Sequence, residues 1–300
     1  MKKKNFLKQT CFMCFGIIAL LMSSCDDSDD GPDMNQQAFD AADVVNGGRM
    51  YDKFWADETN FTDPADPGVN LATITDYGDF YRCKGCHGWD QLGNSASYID
   101  RGPKTSRPSV ASNNVHQFVA TNSISDIFDA VKNVGGRDVD ASLTSDGTNG
   151  QGDGHPDFSK ILSDEQIWDL VKFLKAGAFD VTQLYTIQTS GTYPSGSRSF
   201  THVGAGGDVS AGVTFYSDNC ASCHGANGRD NGNGIIIQYN QDIGRSIGEF
   251  VREKPYELQH KAVYGNLGSS PEMLGVNSAN IDDIKNMFLA LSDTTAYPDL

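Results

Sequence analysis

Cys83-Lys84-Gly85-Cys86-His87 and Cys220-Ala221-Ser222-Cys223-His224 are two copies of one pattern in a chain of 300 residues. Two thiols at this spacing, followed at once by an imidazole, form the signature of covalent haem attachment. The thiols add to the porphyrin vinyl groups, and the His turns beneath the ring to bind iron. The spacing is tight because both thioether bonds and the iron bond must close around one short helical turn. A zinc ribbon would hold its Cys pairs about 15–20 residues apart, whereas Cys86 and Cys220 are far more widely separated. A thioredoxin-like pair needs neither the His nor a second copy. Cys83, Cys86, Cys220 and Cys223 are therefore the expected attachment points of two haem c groups. His87 and His224 are the expected proximal iron ligands.

Outward from the motifs, the chain repeats itself. Gly47-Gly48-Arg49-Met50-Tyr51 corresponds to Gly212-Val213-Thr214-Phe215-Tyr216, and Gly88 and Gly225 close the two motifs. Ala130-Val131-Lys132-Asn133-Val134-Gly135 lies beside Ala262-Val263-Tyr264-Gly265-Asn266-Leu267, a helix running into a Gly turn. Each half then ends on an amphipathic helix. In the first, Ser163 with Gln166 reads as a capping box, and Ile167, Leu170, Val171 and Leu174 form a stripe at helical spacing. In the second, Asn280 caps a stripe of Ile281, Ile284, Phe288 and Leu291. The first half also carries an insertion between Tyr51 and Cys83, 28 residues longer than the gap from Tyr216 to Cys220.

On these residues, both halves resemble the mono-haem domain of c-type cytochromes, over about residues 41–180 and 206–300. The resemblance implies an all-α fold: two tandem cytochrome c-like helical domains with long loops, joined by a Ser/Thr/Gly-rich linker at 181–205 that has room for short strands. It also implies that the closing helix of each domain crosses the first one at a Gly, and Gly47 and Gly212 stand at the expected crossings.

The resemblance further locates the distal iron ligands. In the second half, Ser270-Pro271-Glu272-Met273-Leu274 puts Met273 at the family's position for the distal Met. Met287 is the competitor, but it falls beside the apolar stripe of the closing helix. The first half has no Met between His87 and the second motif; Gly154-His155-Pro156-Asp157-Phe158 takes the place of the family's Met-Pro. His155 precedes Ile167 by 12 residues and Met273 precedes Ile284 by 11. His116 is the rival, though it lies ahead of the helix expected from Ser123. His202 and His260 are expected in surface or packing roles. The reading is thus a bis-His haem in the first domain and a His/Met haem in the second. A thioether stabilises reduced iron better than imidazole does, so the first haem is expected at the lower potential.

The N-terminus reads as an address. Lys2, Lys3, Lys4 and Lys8 precede an apolar run from Cys11 to Met22, the layout of a signal peptide over residues 1–24. Leu21-Met22-Ser23-Ser24-Cys25 resembles a bacterial lipoprotein signal, which implies lipidation of Cys25. Asp26, Asp27, Asp29 and Asp30 open an expected flexible acidic tether over 25–40. No later run reaches the 18 or so apolar residues of a spanning helix. An exported lipoprotein is expected, periplasmic or at the cell surface and membrane-anchored by its lipid.

The chain has 23 basic and 39 acidic residues; loss of four lysines with the signal leaves 19 against 39, a net −20. Such a surface argues against nucleic acid and for redox protein partners with basic docking patches. With six ligands on each iron, a small-molecule substrate has no vacant position. Electron transfer between exported or membrane redox partners is the expected function. The alternatives are a haem enzyme of thiosulfate-dehydrogenase-like or peroxidase-like kind, or an electron-transfer subunit of an oxidoreductase complex. The stretch Asp138 to Asp153 is rich in Asp and Gly, and reads as a solvated loop ahead of a calcium site.

Overall fold

The computed structural model describes residues 33–55, 81–103, 108–137, 154–229, 244–267 and 272–300. The signal segment, Cys25 and the stretch 138–153 lie outside the described residues. In chain order the helices are α1 (Met34–Ala41), α2 (Val44–Lys53), α3 (Cys83–His87), α4 (Val115–Thr121), α5 (Ile124–Lys132) and α6 (Asp164–Lys172). They continue with α7 (Val209–Asn219), α8 (Ala221–His224), α9 (Ile247–Glu253), α10 (Pro255–Tyr264) and α11 (Ile281–Leu291). Between α6 and α7, strands β1 (Thr186–Ser190) and β2 (Ser197–Thr201) form an antiparallel hairpin with Ile187 opposite Phe200. The fold is all-α apart from this hairpin.

Each half is built on a crossing of its first and last helices, α2 with α6 and α7 with α11. The closing helices start where their caps dictate. The Ser163 hydroxyl accepts from Gln166 N at 3.2 Å while Ser163 N donates to Gln166 Oε1 at 2.9 Å; Asn280 and Asp283 do the same for α11. Their stripes are sealed, with Ile167, Leu170, Val171, Ile284, Phe288 and Leu291 all buried.

At the crossings, a Cβ on Gly47 would overlap the Asp169 carbonyl oxygen, and one on Gly212 would overlap that of Asn286. Only Gly lets the helix backbones come this close. The crossings share a second device. Asp43, which caps α2, donates its backbone N–H to Asp169 Oδ1 at 2.6 Å. Asp208, which caps α7, donates likewise to Asn286 Oδ1 at 2.7 Å. Two copies of one clamp thus hold the helix pairs.

The halves do not stand apart: residues 34–300 form one compact unit. Helix α10, from the second half, inserts His260 among Trp89, Tyr51 and Phe173 of the first, with ring centres 4.9, 5.9 and 5.5 Å away. Gln259 Nε2 donates to the Trp89 carbonyl at 3.0 Å, and Tyr264 Oη donates to the Gly177 carbonyl at 2.7 Å. The hairpin acts as a strap. Val110 N donates to Tyr193 Oη at 2.9 Å on one side, while Phe200 stacks on Tyr256 at 5.4 Å on the other.

The expected tether to residue 40 is too long by one helix. Residues 34–41 form α1, whose Ala38 and Phe39 pack on the core. The Lys172 ammonium lies over the Phe39 ring and donates to its carbonyl at 3.1 Å. The acidic composition just upstream hid this short docked helix. The segment 181–205 is likewise packed rather than loose, with Val181, Leu184 and Tyr185 buried.

Candidate haem sites

The first motif folds as the single helical turn α3. It ends at Gly88, whose φ of 78° is left-handed and suits Gly. The turn is tied down from two sides: Tyr51 Oη donates to the Gly88 carbonyl at 2.7 Å, and Ala111 N donates to the Cys86 carbonyl at 2.9 Å. His155 arrives from the far side on a short loop clamped to the turn after α5. Asn133 Nδ2 donates to the His155 carbonyl at 2.8 Å, and Arg137 N donates to it at 3.0 Å. Gly135 N donates to Asp157 Oδ2 at 2.9 Å. The ring that the loop presents is thereby fixed by three residues of the preceding element.

His87 and His155 face each other with ring centres 6.3 Å apart. Two imidazoles on opposite sides of one metal, each with a metal–nitrogen bond of about 2 Å, have ring centres roughly 6 Å apart. Around this pair lie two cavities of about 330 and 500 Å³, both touching Cys83, His87, Asn113, His155 and Phe158. Val119, Ile127 and Leu170 give the first an apolar wall; Cys86 and Arg82 line the second. Thiols in the wall, opposed imidazoles and flanking apolar space fit a haem between α3 and the His155 loop.

The electrostatics agree with ligand chemistry. Burial, then the neighbouring His155, push His87 down to about 4, against a hydrogen-bonding interaction with the Asn113 side chain that pulls it up. His155 is also lowered, chiefly by burial, with the Pro156 carbonyl opposing and Arg137 adding to it. His155 is nonetheless exposed: it lines both cavities, so its open face belongs to the pocket, and the protein atoms around it still penalise a charge. Both rings are therefore neutral at neutral pH, the form that binds a metal. His155 Nδ1 lies 3.1 Å from the Pro156 carbonyl. A carbonyl can only accept, so the proton sits on Nδ1 and Nε2 keeps its lone pair. Burial, with Cys86 beside it, pushes the Cys83 thiol up to about 12.

The second motif repeats the local geometry. Cys220 precedes α8, which ends at Gly225 with the same φ of 78°, and Tyr216 Oη donates to the Gly225 carbonyl at 2.7 Å. Burial and then Cys223 push Cys220 up to about 11. Met273 lies just beyond α10, bridged to Asn266 in antiparallel pairing, whereas Pro156 of the first half is bridged to Arg137 in parallel pairing. Met273 and His224 are both half-buried, while Cys223 is exposed. Residues 230–243 and 268–271, which flank this site in sequence, lie outside the described residues.

The rival ligands sit elsewhere. Met287 is 2% exposed, inside the core of α11. His116 Nε2 is engaged with the Asp90 carbonyl at 3.1 Å. His202 is exposed, and His260 is packed between the halves. The sequence reading missed the Asn133 and Asp157 clamps, Asn113 beside His87, and the buried Asp90. Only the Asn at the C-terminal end of α5, in a left-handed conformation, carried a local hint.

The family comparison agrees with this duplication. A sequence model of cytochrome c matches residues 78–178 and 209–289, one haem motif in each segment. Neither a curated protein nor a solved structure matches the chain. With both matched segments folded as helical units around a Cys-x-x-Cys-His turn, the chain belongs to the cytochrome c family.

Proposed function

We propose that this c-type cytochrome carries two covalent haem c groups with different axial ligands and passes electrons between exported or membrane redox partners. The observation that carries the reading is the opposed His87–His155 pair at 6.3 Å. When bound, haem iron supplies reversible one-electron chemistry. The chain does the rest. Cys83 and Cys86 anchor the first group, and Cys220 and Cys223 the second. His87 and His155 present neutral imidazoles to the first, and His224 and Met273 an imidazole and a thioether to the second. Apolar walls at Val119, Ile127 and Leu170 exclude water, which raises the cost of charge at the first site.

Cys25 is the proposed lipid site, with the acidic segment after it as the leash. Among the described residues, no helix is long and apolar enough to cross a membrane, so the anchor would be the lipid. The acidic mature chain favours partners with basic docking patches, and their encounter would slow as salt rises.

The test is low-temperature EPR with redox titration of the intact, haem-loaded chain and of His155→Met. The substitution gives the first site the ligand types of the second. Its bis-imidazole signal should disappear, and its reduction equilibrium should move towards the reduced form by more than tenfold, about 59 mV for one electron. An unchanged signal and potential would remove His155 from the iron.

A further inference from the structure

Three residues past each proximal His, the two halves differ in charge. Asp90 follows His87, and Asn227 follows His224 at the same offset. The backbone confirms the match. In both halves the turn closes with an N–H donated back to the motif's Gly carbonyl, from Gln91 at 3.4 Å and from Gly228 at 3.2 Å. The closing residues share positive φ, 59° at Gln91 and 76° at Gly228.

The surroundings diverge sharply. Asp90 is fully buried, and its carboxylate accepts from Ser97 N at 3.0 Å and Leu92 N at 3.4 Å. Among the described residues it forms no salt bridge. Asn227 is exposed and accepts from Arg229 N at 3.2 Å. Asp90 also lies close to the cofactor's anchorage. Tyr51, which lines the haem cavity, has Cys83, Asp90 and Cys86 among its electrostatic neighbours.

We propose that Asp90 sets the potential of the first site: its buried, unpaired charge opposes the electron that this site takes up, while the second site has a neutral, solvated Asn in the same place. The inference rests on the two-haem reading above. Burial raises the pKa of this carboxyl, while the hydrogen bonds from Ser97 and Leu92 oppose the rise, so its charge and its effect on the site fade as pH falls. Unscreened by water, such a charge acts at longer range than one on the surface. The ionisable side chains facing it are Tyr51 from α2 and Tyr185 from the segment after α6, both neutral phenols with pKa raised by burial. His116 on α4 reaches only its backbone carbonyl.

The experiment is a spectroelectrochemical titration of the intact, haem-loaded wild type, Asp90→Asn and Asn227→Asp across pH. Asn keeps the acceptor oxygen and removes the charge. D90N should shift the first site towards reduction by roughly tenfold, about 59 mV for one electron, and move the second by twofold or less. N227D, being exposed, should move either site by twofold or less. The gap between wild type and D90N should close as pH falls and the wild-type carboxyl protonates. A first-site shift under twofold at neutral pH, or a gap independent of pH, would overturn the role; so would equal slopes of the two sites against pH in the wild type, which needs no variant to fold. Absence of two attached haems in the wild type would overturn the two-haem reading and this one together. A first site without bis-His ligation but with the D90N shift would overturn the ligand reading alone.

Discussion

The two haem motifs share their backbone and differ in their cover. In the first, Lys84 and Gly85 are buried and Cys86 is half-buried; in the second, Ser222 and Cys223 are exposed. The difference comes from α10. It lays His260 and Lys261 against Trp89, immediately after the first motif, with the Lys261 and Lys84 ammonium groups 5.5 and 5.3 Å from the indole. Asp52 paired with Arg82, and Glu257 with Lys261 at 2.7 Å, neutralise the cations there. Among the described residues, nothing from the first half covers α8 in this way. A duplicated local code therefore yields one enclosed motif and one open one. Enclosure raises the strength of every nearby charge, so the two sites can differ in redox behaviour despite their shared local motif.

The comparison can be broken first at what the halves share. Gly47→Ala and Gly212→Ala each drive a methyl group into a facing helix carbonyl, and each should cost about 3 kcal/mol or more in urea unfolding. Each added atom also presses on a facing Cβ, Phe173 at 2.9 Å from Gly47 and Ala290 at 3.0 Å from Gly212, so the two losses should be similar. Tolerance of either below about 1 kcal/mol would show that the crossings are not equivalent.

A second measurement sharpens what differs. His260 belongs to the second half but is sealed inside the first, where burial lowers its pKa from 6.5 to about 4. Asp52 and Glu257 pull it upward and Lys261 pushes it further down, yet burial dominates. The unfolded chain thus binds more protons than the folded one between these values. The contribution of His260 is complete above pH 6.5 and fades as pH falls towards 4, by up to roughly 3 kcal/mol. His260→Phe should flatten the slope of stability against pH in that window. A slope equal to that of the wild type would mean that the ring is not buried between the halves.

The smallest effect expected is at the twin tyrosines. Tyr51→Phe and Tyr216→Phe each delete one hydrogen bond to the motif's Gly carbonyl, for about 1 kcal/mol in chemical denaturation. Both phenols and their acceptors are buried, but Tyr51 also borders the enclosed cavity. Its loss should be felt more, and the haem absorption of the first site should broaden with it.

Much of this architecture was legible in the chain because its signals are local. Covalent attachment of one porphyrin requires Cys, Cys and His within a single turn, so two such turns announce two sites. Capping boxes at Ser163 and Asn280 join residues three apart, and the stripes that follow them have the helix period. The crossings came from the family resemblance, with Gly47 and Gly212 as the glycines standing at the expected places. What stayed hidden has no local signature. Helix α1 is stabilised by packing on α5 and α6, which follow it by some ninety residues or more.

The sequence by itself determined where haem can be attached, where the closing helix of each half starts, and at which Gly each closing helix crosses the first one. Tertiary structure alone decided that the halves fuse through α10, that His260 and Trp89 share one apolar seam, and that Asp90 is sealed while its twin Asn227 is open to water. The reason is physical: covalent and capping chemistry acts between near neighbours in the chain, whereas burial, and with it the strength of a charge, is set by whichever distant residues fold over it.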